Sequence, residues 1–81
     1  MRTLRVFPDY GGLCLWAPGG GIYPASLGLS SELQADLERW YSDWLNNDRG
    51  LSEAEFEAEG EQLVQRIQAE VGDRWHVVLD L

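Results

Sequence analysis

Five glutamates occupy every second position in the segment SEAEFEAEGEQ, residues 52–62. Carboxylates at this spacing can bind a metal ion, exchange protons with a substrate or attract a positively charged partner. A calcium loop alternates acids with turn glycines in an extended segment, which this run does not do, and no carboxylate–histidine motif accompanies it. Two alternatives remain: a charged surface that keeps a small protein soluble, or a partner-binding surface formed by Glu53, Glu55, Glu57, Glu59 and Glu61.

Other residues with reactive side chains are isolated from one another. Cys14 is the only cysteine, so neither an internal disulfide nor a thiolate metal cluster can form, and its neighbours Leu13 and Leu15 predict a buried side chain. His76 lies alone on a predicted strand, where a packing or surface role is more common than a ligand role. The segment 18–21 is glycine-rich but lacks the lysine of a phosphate loop. The sequence therefore predicts no catalytic residue, no cofactor and no metal.

Aromatic side chains offer a second kind of binding surface. Trp16 and Tyr23 flank the glycine-rich segment 18–21 and could form an apolar rim that contacts a protein partner. Trp40 and Trp44 fall on the apolar side of a predicted helix instead, so we expect them in the core. An interface at this aromatic loop is the alternative to binding through the glutamates.

The glutamate run is predicted to belong to a helix over residues 53–71. Ser52 and Glu55 fit a capping box, and Leu51 with Phe56 fits a hydrophobic staple. Apolar or small residues then recur on one helical face, at positions 56, 60, 63, 64, 67 and 71. The alternating glutamates therefore lie around a helix and do not form the charged face of a strand.

A first helix is predicted over residues 31–46. Ser31 and Gln34 fit a capping box at its start. One stripe along this helix is apolar and aromatic: Leu33, Leu37, Trp40, Tyr41 and Trp44. Gly60 lies inside the apolar face of the second helix, which predicts close approach of a neighbour, either Trp40 or Trp44.

Three strands are predicted over residues 2–7, 13–17 and 75–80, with residues 22–29 as a loop. The order of elements predicts an α+β fold, ββααβ, in one small domain spanning residues 1–81. We expect a three-stranded sheet with a helical hairpin packed on one face. If the elements alternate in direction, the third strand runs parallel to the first.

The negative charge is concentrated in the predicted helices. Residues 30–71 contain eleven acidic residues and three arginines, so they carry the whole formal charge of −8, whereas the rest of the chain is neutral. This balance argues against direct binding of nucleic acid or of an anionic membrane. The first residues lack the apolar run of a signal peptide, and no segment reaches the roughly 20 apolar residues of a membrane helix. We therefore expect a cytoplasmic protein.

The glutamates of the second helix divide into two flanks. Glu55 and Glu59 share a flank with Arg66, which is expected to neutralise part of their field. Glu57 and Glu61 have no basic residue three or four positions away. These two are therefore predicted to present the strongest unpaired negative potential.

The segment FEAEGEQLVQRIQAEVGDRWHVV, preceded by LSSELQADLERWYSDW, resembles short acidic bacterial proteins that combine a hairpin, a Trp/Tyr-bearing helix, an F-x-x-E-G helix and a closing strand. The pattern is also similar to that of small cytoplasmic immunity proteins of bacterial toxin systems. This resemblance implies a non-enzymatic immunity protein or antitoxin that neutralises a basic toxin, with nucleases among the candidates, through complementary charge. The alternative is a small adaptor or regulatory domain that binds a protein partner through its sheet or aromatic loop.

Overall fold

A mixed β-sheet and two long helices account for most of residues 2–81, the residues that the computed structural model describes. In chain order the elements are β1 (Arg2–Val6), β2 (Leu15–Ala17), β3 (Gly20–Gly21), α1 (Ser31–Asn46), α2 (Glu53–Val71) and β4 (Trp75–Leu79). Short 3₁₀ helices cover Pro24–Leu27, within the predicted loop, and Gly72–Arg74. The α+β class with two helices is therefore confirmed.

The strand order in the sheet is β3-β2-β1-β4. β1 pairs antiparallel with β2 and parallel with β4, in a register that sets Leu4 opposite Val77. The predicted parallel pairing of the first and last strands is confirmed. It arises because the two helices return the chain to the end of the sheet where β1 begins. β1 ends at Val6, β2 begins at Leu15 and β4 ends at Leu79, so each predicted strand range was slightly long.

The sheet has four strands, so the predicted three-stranded ββααβ arrangement was wrong at one edge. Gly20 and Gly21 pair with the end of β2 across the Pro18–Gly19 turn. Glycine has low strand propensity, so the sequence pattern indicates a break where the chain in fact forms a short edge strand. A Cβ atom at position 21 would overlap Leu13 Cδ1, so a larger residue there would require the Leu13 side chain to move.

Helix α1 begins with a different cap from the predicted one. Ser30, not Ser31, is the N-cap residue, and its Oγ accepts the N–H of Leu33 at 3.3 Å. Gln34 does not complete a capping box, because its side-chain amide donates to a loop carbonyl. The Glu70 carboxylate of α2 accepts the N–H and the hydroxyl of Ser30 instead, at 2.6 and 2.7 Å. The cap of α1 therefore depends on a contact with the far end of α2, which a local motif cannot indicate.

The predicted capping box at the start of α2 is confirmed. Ser52 Oγ accepts the Glu55 N–H at 3.1 Å, and the Glu55 carboxylate accepts the Ser52 N–H at 3.0 Å. The hydrogen bond from the Ser52 N–H lowers the pKa of Glu55, because it favours the ionised carboxylate. The glutamate run is therefore helical from its first residue.

Replacing Ser52 by alanine is expected to lower the free energy of unfolding by about 1 kcal/mol, because the Glu55 N–H loses its capping acceptor. Ser31→Ala is the matched control, since Ser31 is exposed and does not cap α1. Its expected effect is below about 0.5 kcal/mol. Urea unfolding followed by circular dichroism measures both variants, and equal losses of stability would contradict the cap assignment.

Both helices pack on one face of the sheet, and Trp40 of α1 is fully buried between the layers. Its ring stacks on Phe56 with centroids 4.5 Å apart, and its indole N–H donates to the Phe56 carbonyl at 3.0 Å. A Cβ atom at Gly60 would lie 2.9 Å from Trp40 Cζ2 and 3.1 Å from Leu79 Cδ1. The predicted close approach is confirmed, with Trp40 as the neighbour, and this packing fixes α2 against the sheet.

Candidate protein-binding site

Three of the five glutamates are exposed, and their side chains form neither a salt bridge nor a hydrogen bond with any of residues 2–81. Glu53, Glu57 and Glu61 follow one another at four-residue intervals along α2, and we call them the acidic flank. Like charges at this interval destabilise a helix by roughly 0.2–0.5 kcal/mol per pair. The acidic flank is therefore a negatively charged surface that the fold tolerates at a small cost.

The other two glutamates are engaged within the protein. Glu55 completes the capping box, and Glu59 forms a salt bridge with Arg49 at 2.6 Å. The predicted neutralisation of this flank by Arg66 was wrong, because Arg66 reaches across to Asp36 of α1 at 2.6 Å. The hydrogen bond from Arg66 lowers the pKa of Asp36. The packing of α1 against α2 therefore decides which acids are neutralised.

A buried carboxylate that belongs to no recognisable sequence motif supports the connection between the helices. Asp43 of α1 is 4% exposed, and it accepts the Arg49 Nε–H at 2.7 Å and the Arg49 backbone N–H at 3.3 Å. The side-chain hydrogen bond from Arg49 holds the pKa of Asp43 below its usual range. Asp43 lies three residues after Trp40, on the apolar side of α1, and this position is the signal that could have revealed it.

An open groove of about 740 Å³ lies beside the acidic flank. It forms where the α1–α2 connection meets the ends of β1 and β4. Its apolar lining comes from four separate parts of the chain and consists of Phe7, Pro8, Trp44, Leu51, Phe56 and Leu81. Leu81 is 59% exposed, and Trp44 and Leu51 are half-buried. We call this feature the Leu81 groove.

The ionised side chains that line the Leu81 groove are carboxylates. Glu53 and Glu57 belong both to the acidic flank and to the groove lining. Asp80 also lines the groove, but its carboxylate is bound by Arg5 at 2.7 Å. An ionised carboxylate only accepts hydrogen bonds, so its natural complement is a lysine or arginine side chain. The site therefore combines an apolar surface with two free carboxylates.

The aromatic residues predicted for the loop interface lie in different surroundings. Trp16 is half-buried, stacks on Phe7 with ring centroids 5.0 Å apart and donates its indole N–H to the Phe7 carbonyl. Tyr23 is 67% exposed and lines a separate cavity of about 310 Å³ with Leu37 and Tyr41. Trp16 does not line this cavity, so the structure does not bring Trp16 and Tyr23 into one site.

A partly exposed aromatic pair beside the Leu81 groove was not predicted. Trp44, expected in the core, is only half-buried, and its ring lies 4.8 Å from that of the exposed Tyr10. The Tyr41 hydroxyl accepts the Gly12 N–H and donates to the Asp9 carbonyl, which fastens the β1–β2 loop to α1. This long-range contact places Tyr10 next to Trp44, and the composition of the turn could not indicate it.

The isolated reactive residues lie outside the Leu81 groove. Cys14 is buried as predicted, and burial raises the pKa of its thiol to about 11. His76 is exposed on β4. Among residues 2–81, no group of three or more His, Cys, Asp or Glu side chains is placed to hold a metal ion. No helix in the described part of the chain has both the length and the apolar character needed to cross a membrane.

Comparison with protein-family models gives a match over almost the whole chain. A family model described as Serratia CdiI immunity protein-like matches residues 2–80. The match covers all four strands, both helices and the acidic flank. No curated protein matches the chain.

Proposed function

The chain belongs to the Serratia CdiI immunity protein-like family, and we propose that it neutralises a toxin protein by binding it directly, without catalysing a reaction. The toxin is proposed to present a basic surface to the acidic helices. The acidic flank is the proposed centre of the contact, and Glu55 and Glu59 contribute less because they are engaged within the fold.

The placement of the negative charge is the observation that carries this proposal. Residues 30–71, which include both helices, account for the whole formal charge of −8. The helices pack on one face of the sheet, so the charge is concentrated on one side of the protein. A field focused in this way can raise the rate of association with a basic partner by about 10–10³.

A toxin that cleaves nucleic acid fits this surface best. Proteins hold the phosphate backbone with lysine and arginine, so the substrate-binding surface of a nuclease is basic. An acidic protein bound there covers the cations that the substrate requires. We therefore propose a nuclease toxin that is masked through complementary charge.

The test uses the purified chain and a purified candidate toxin domain, chosen from the genes that neighbour the gene of this chain. We expect a one-to-one complex whose dissociation constant rises steeply between about 50 and about 300 mM sodium chloride, because salt screens exposed charges. One equivalent of the chain should also stop the toxin domain from degrading RNA or DNA. Absence of a complex at low salt would refute the proposed function, whereas a complex that is insensitive to salt would refute only its electrostatic basis.

A small adaptor or regulatory domain is the second candidate. It is supported by Tyr23, which is 67% exposed, and by the outer face of the sheet, where the Arg5 guanidinium lies 5.0 Å from the centre of the Phe7 ring. A partner bound at these surfaces would be lost in a Tyr23→Ala or Arg5→Ala variant. The same partner would be retained when charges on α2 are reversed.

A further inference from the structure

Three of the apolar side chains that line the Leu81 groove lie outside the core. Leu81 is 59% exposed. Neither Leu81, Trp44 nor Leu51 belongs to the buried core cluster or to the partly buried residues packed against it. Burial of such surface against an apolar group removes it from water and is favourable. The groove therefore offers binding free energy that the isolated protein does not use.

The size of the groove indicates what it can hold. Its volume of about 740 Å³ is large enough for an aromatic or long aliphatic side chain together with part of a neighbouring residue. Ligand pockets of roughly 300–1,000 Å³ usually combine an apolar lining with a few polar groups that fix orientation. Here the free charged groups are Glu53 and Glu57, beside the uncharged amide of Asn47, so an occupant with a cation next to its apolar part fits the groove.

The same carboxylates disfavour a second copy of this chain as the occupant. Two copies facing each other across the groove would bring two pairs of Glu53 and Glu57 together, and like charges at close distance repel. A basic partner reverses the sign of this interaction. Charge complementarity therefore selects a basic protein over a second copy.

We propose that the Leu81 groove seats a large apolar side chain of the toxin, and that Glu53 and Glu57 bind a lysine or arginine beside it. This inference rests on the proposed function and adds the place and the chemistry of the central contact. Apolar anchors in pockets commonly dominate the affinity of protein interfaces, whereas surrounding charges control specificity and association rate.

The apolar and charged parts of this contact respond differently to salt. Screening weakens the interaction of Glu53 and Glu57 with a cation as ionic strength rises. Contact between Leu81 and an apolar side chain carries no charge and is not screened. A variant that alters only Leu81 should therefore lose the same factor in affinity at low and at high salt.

The experiment compares Leu81→Ala with Leu45→Ala in binding to the same candidate toxin domain. Leu45 is the matched control, because it is an exposed leucine, 47% exposed, that does not line the groove. We expect Leu81→Ala to weaken binding by about tenfold at both salt concentrations and Leu45→Ala by less than about twofold. Both variants are expected to fold, because both leucines are exposed. Circular dichroism checks this.

Nitrogen-labelled protein gives a second readout of the same contact. On binding, the indole N–H signal of Trp44 should shift, because Trp44 lines the groove. The indole signal of Trp75, at the opposite end of β4, should stay in place.

The possible outcomes distinguish failure of the groove proposal from failure of the proposed function. If the unaltered chain binds the toxin domain and Leu81→Ala binds equally well, the groove proposal is wrong while the proposed function stands. Equal losses for Leu81→Ala and Leu45→Ala would also overturn the groove. If the unaltered chain does not bind at low salt, the proposed function and the groove fail together. A free chain that is dimeric, and that Leu81→Ala converts to a monomer, would show that a second copy occupies the groove.

Discussion

Reversing the charges of Glu57 and Glu61 together is expected to weaken toxin binding by about 100-fold or more at low salt. Both side chains are exposed on α2, and neither forms a salt bridge within residues 2–81. Close charge pairs across interfaces have measured couplings of about 1.5–7 kcal/mol, and about 1.4 kcal/mol corresponds to tenfold in affinity. Two reversed charges that face a basic surface are therefore expected to lower the affinity at least about 100-fold.

The double variant Glu57→Lys, Glu61→Lys is expected to fold. The reversal removes the like-charge contact between Glu53 and Glu57, and it places no new group in the core, because both positions are exposed. Circular dichroism checks the helix content. Affinity is measured at about 50 and about 300 mM sodium chloride, and the variant should show a shallower dependence on salt than the unaltered chain.

The matched control reverses two acids on the other helix, Glu32→Lys with Glu38→Lys. Both residues are exposed on α1 and form no salt bridge within the described residues. The change in net charge is the same, so the comparison separates position from total charge. Comparable losses in the two double variants would show that overall charge, not the acidic flank, controls binding. Unchanged affinity in the folded Glu57/Glu61 variant would show that the binding site lies on the outer face of the sheet or at Tyr23.

Replacing Arg49 by methionine is expected to lower the free energy of unfolding by about 2–3 kcal/mol. Loss of one partner from a buried ion pair typically costs about 3–5 kcal/mol, because the other charge stays buried without compensation. The Asp43 side chain is 1% exposed, but the Arg49 side chain is 36% exposed, so solvent reduces the expected cost. Glu59 also loses its salt bridge in this variant.

The stability lost on replacing Arg49 is expected to depend on pH. Arg49 lowers the folded-state pKa of Asp43 below 3.8, so the contribution of Asp43 to stability is present above its unfolded pKa and is lost as pH falls through the folded value. Without Arg49, burial of the carboxylate favours the protonated form instead. The difference in stability between the two proteins should therefore be largest near pH 7 and should shrink as the pH is lowered toward about 3.

Urea unfolding at several pH values measures both effects. Arg39→Met is the matched control, because Arg39 forms an exposed salt bridge with Asp36 and its loss should cost less than about 1 kcal/mol. Combining Arg49→Met with Asp43→Leu removes the unpaired charge as well, so it should recover much of the stability. A cost for Arg49→Met no larger than that for Arg39→Met would contradict the buried network.

The sequence alone determined the features that depend on neighbours within about one helical turn. Ser52 and Glu55 are three positions apart, so their capping box could be identified without knowledge of the fold, and it fixed the glutamate run as helical. The apolar stripe of α2, with Gly60 inside it, indicated the buried face and the close approach of an aromatic ring. The concentration of charge in residues 30–71 is also a property of the sequence itself.

The tertiary structure decided which groups meet when they are far apart in the chain. The sequence indicated Arg66 as the cation near Glu59. In the structure Glu59 forms a salt bridge with Arg49 instead, and Arg66 forms one with Asp36. The packing of α1 against α2 brings these acids within reach of the long arginine side chains. The Leu81 groove arises in the same way, since its lining comes from four parts of the chain. β3 forms from two glycines that have no strand signal of their own, and pairing with β2 supplies the hydrogen bonds that their local propensity does not predict.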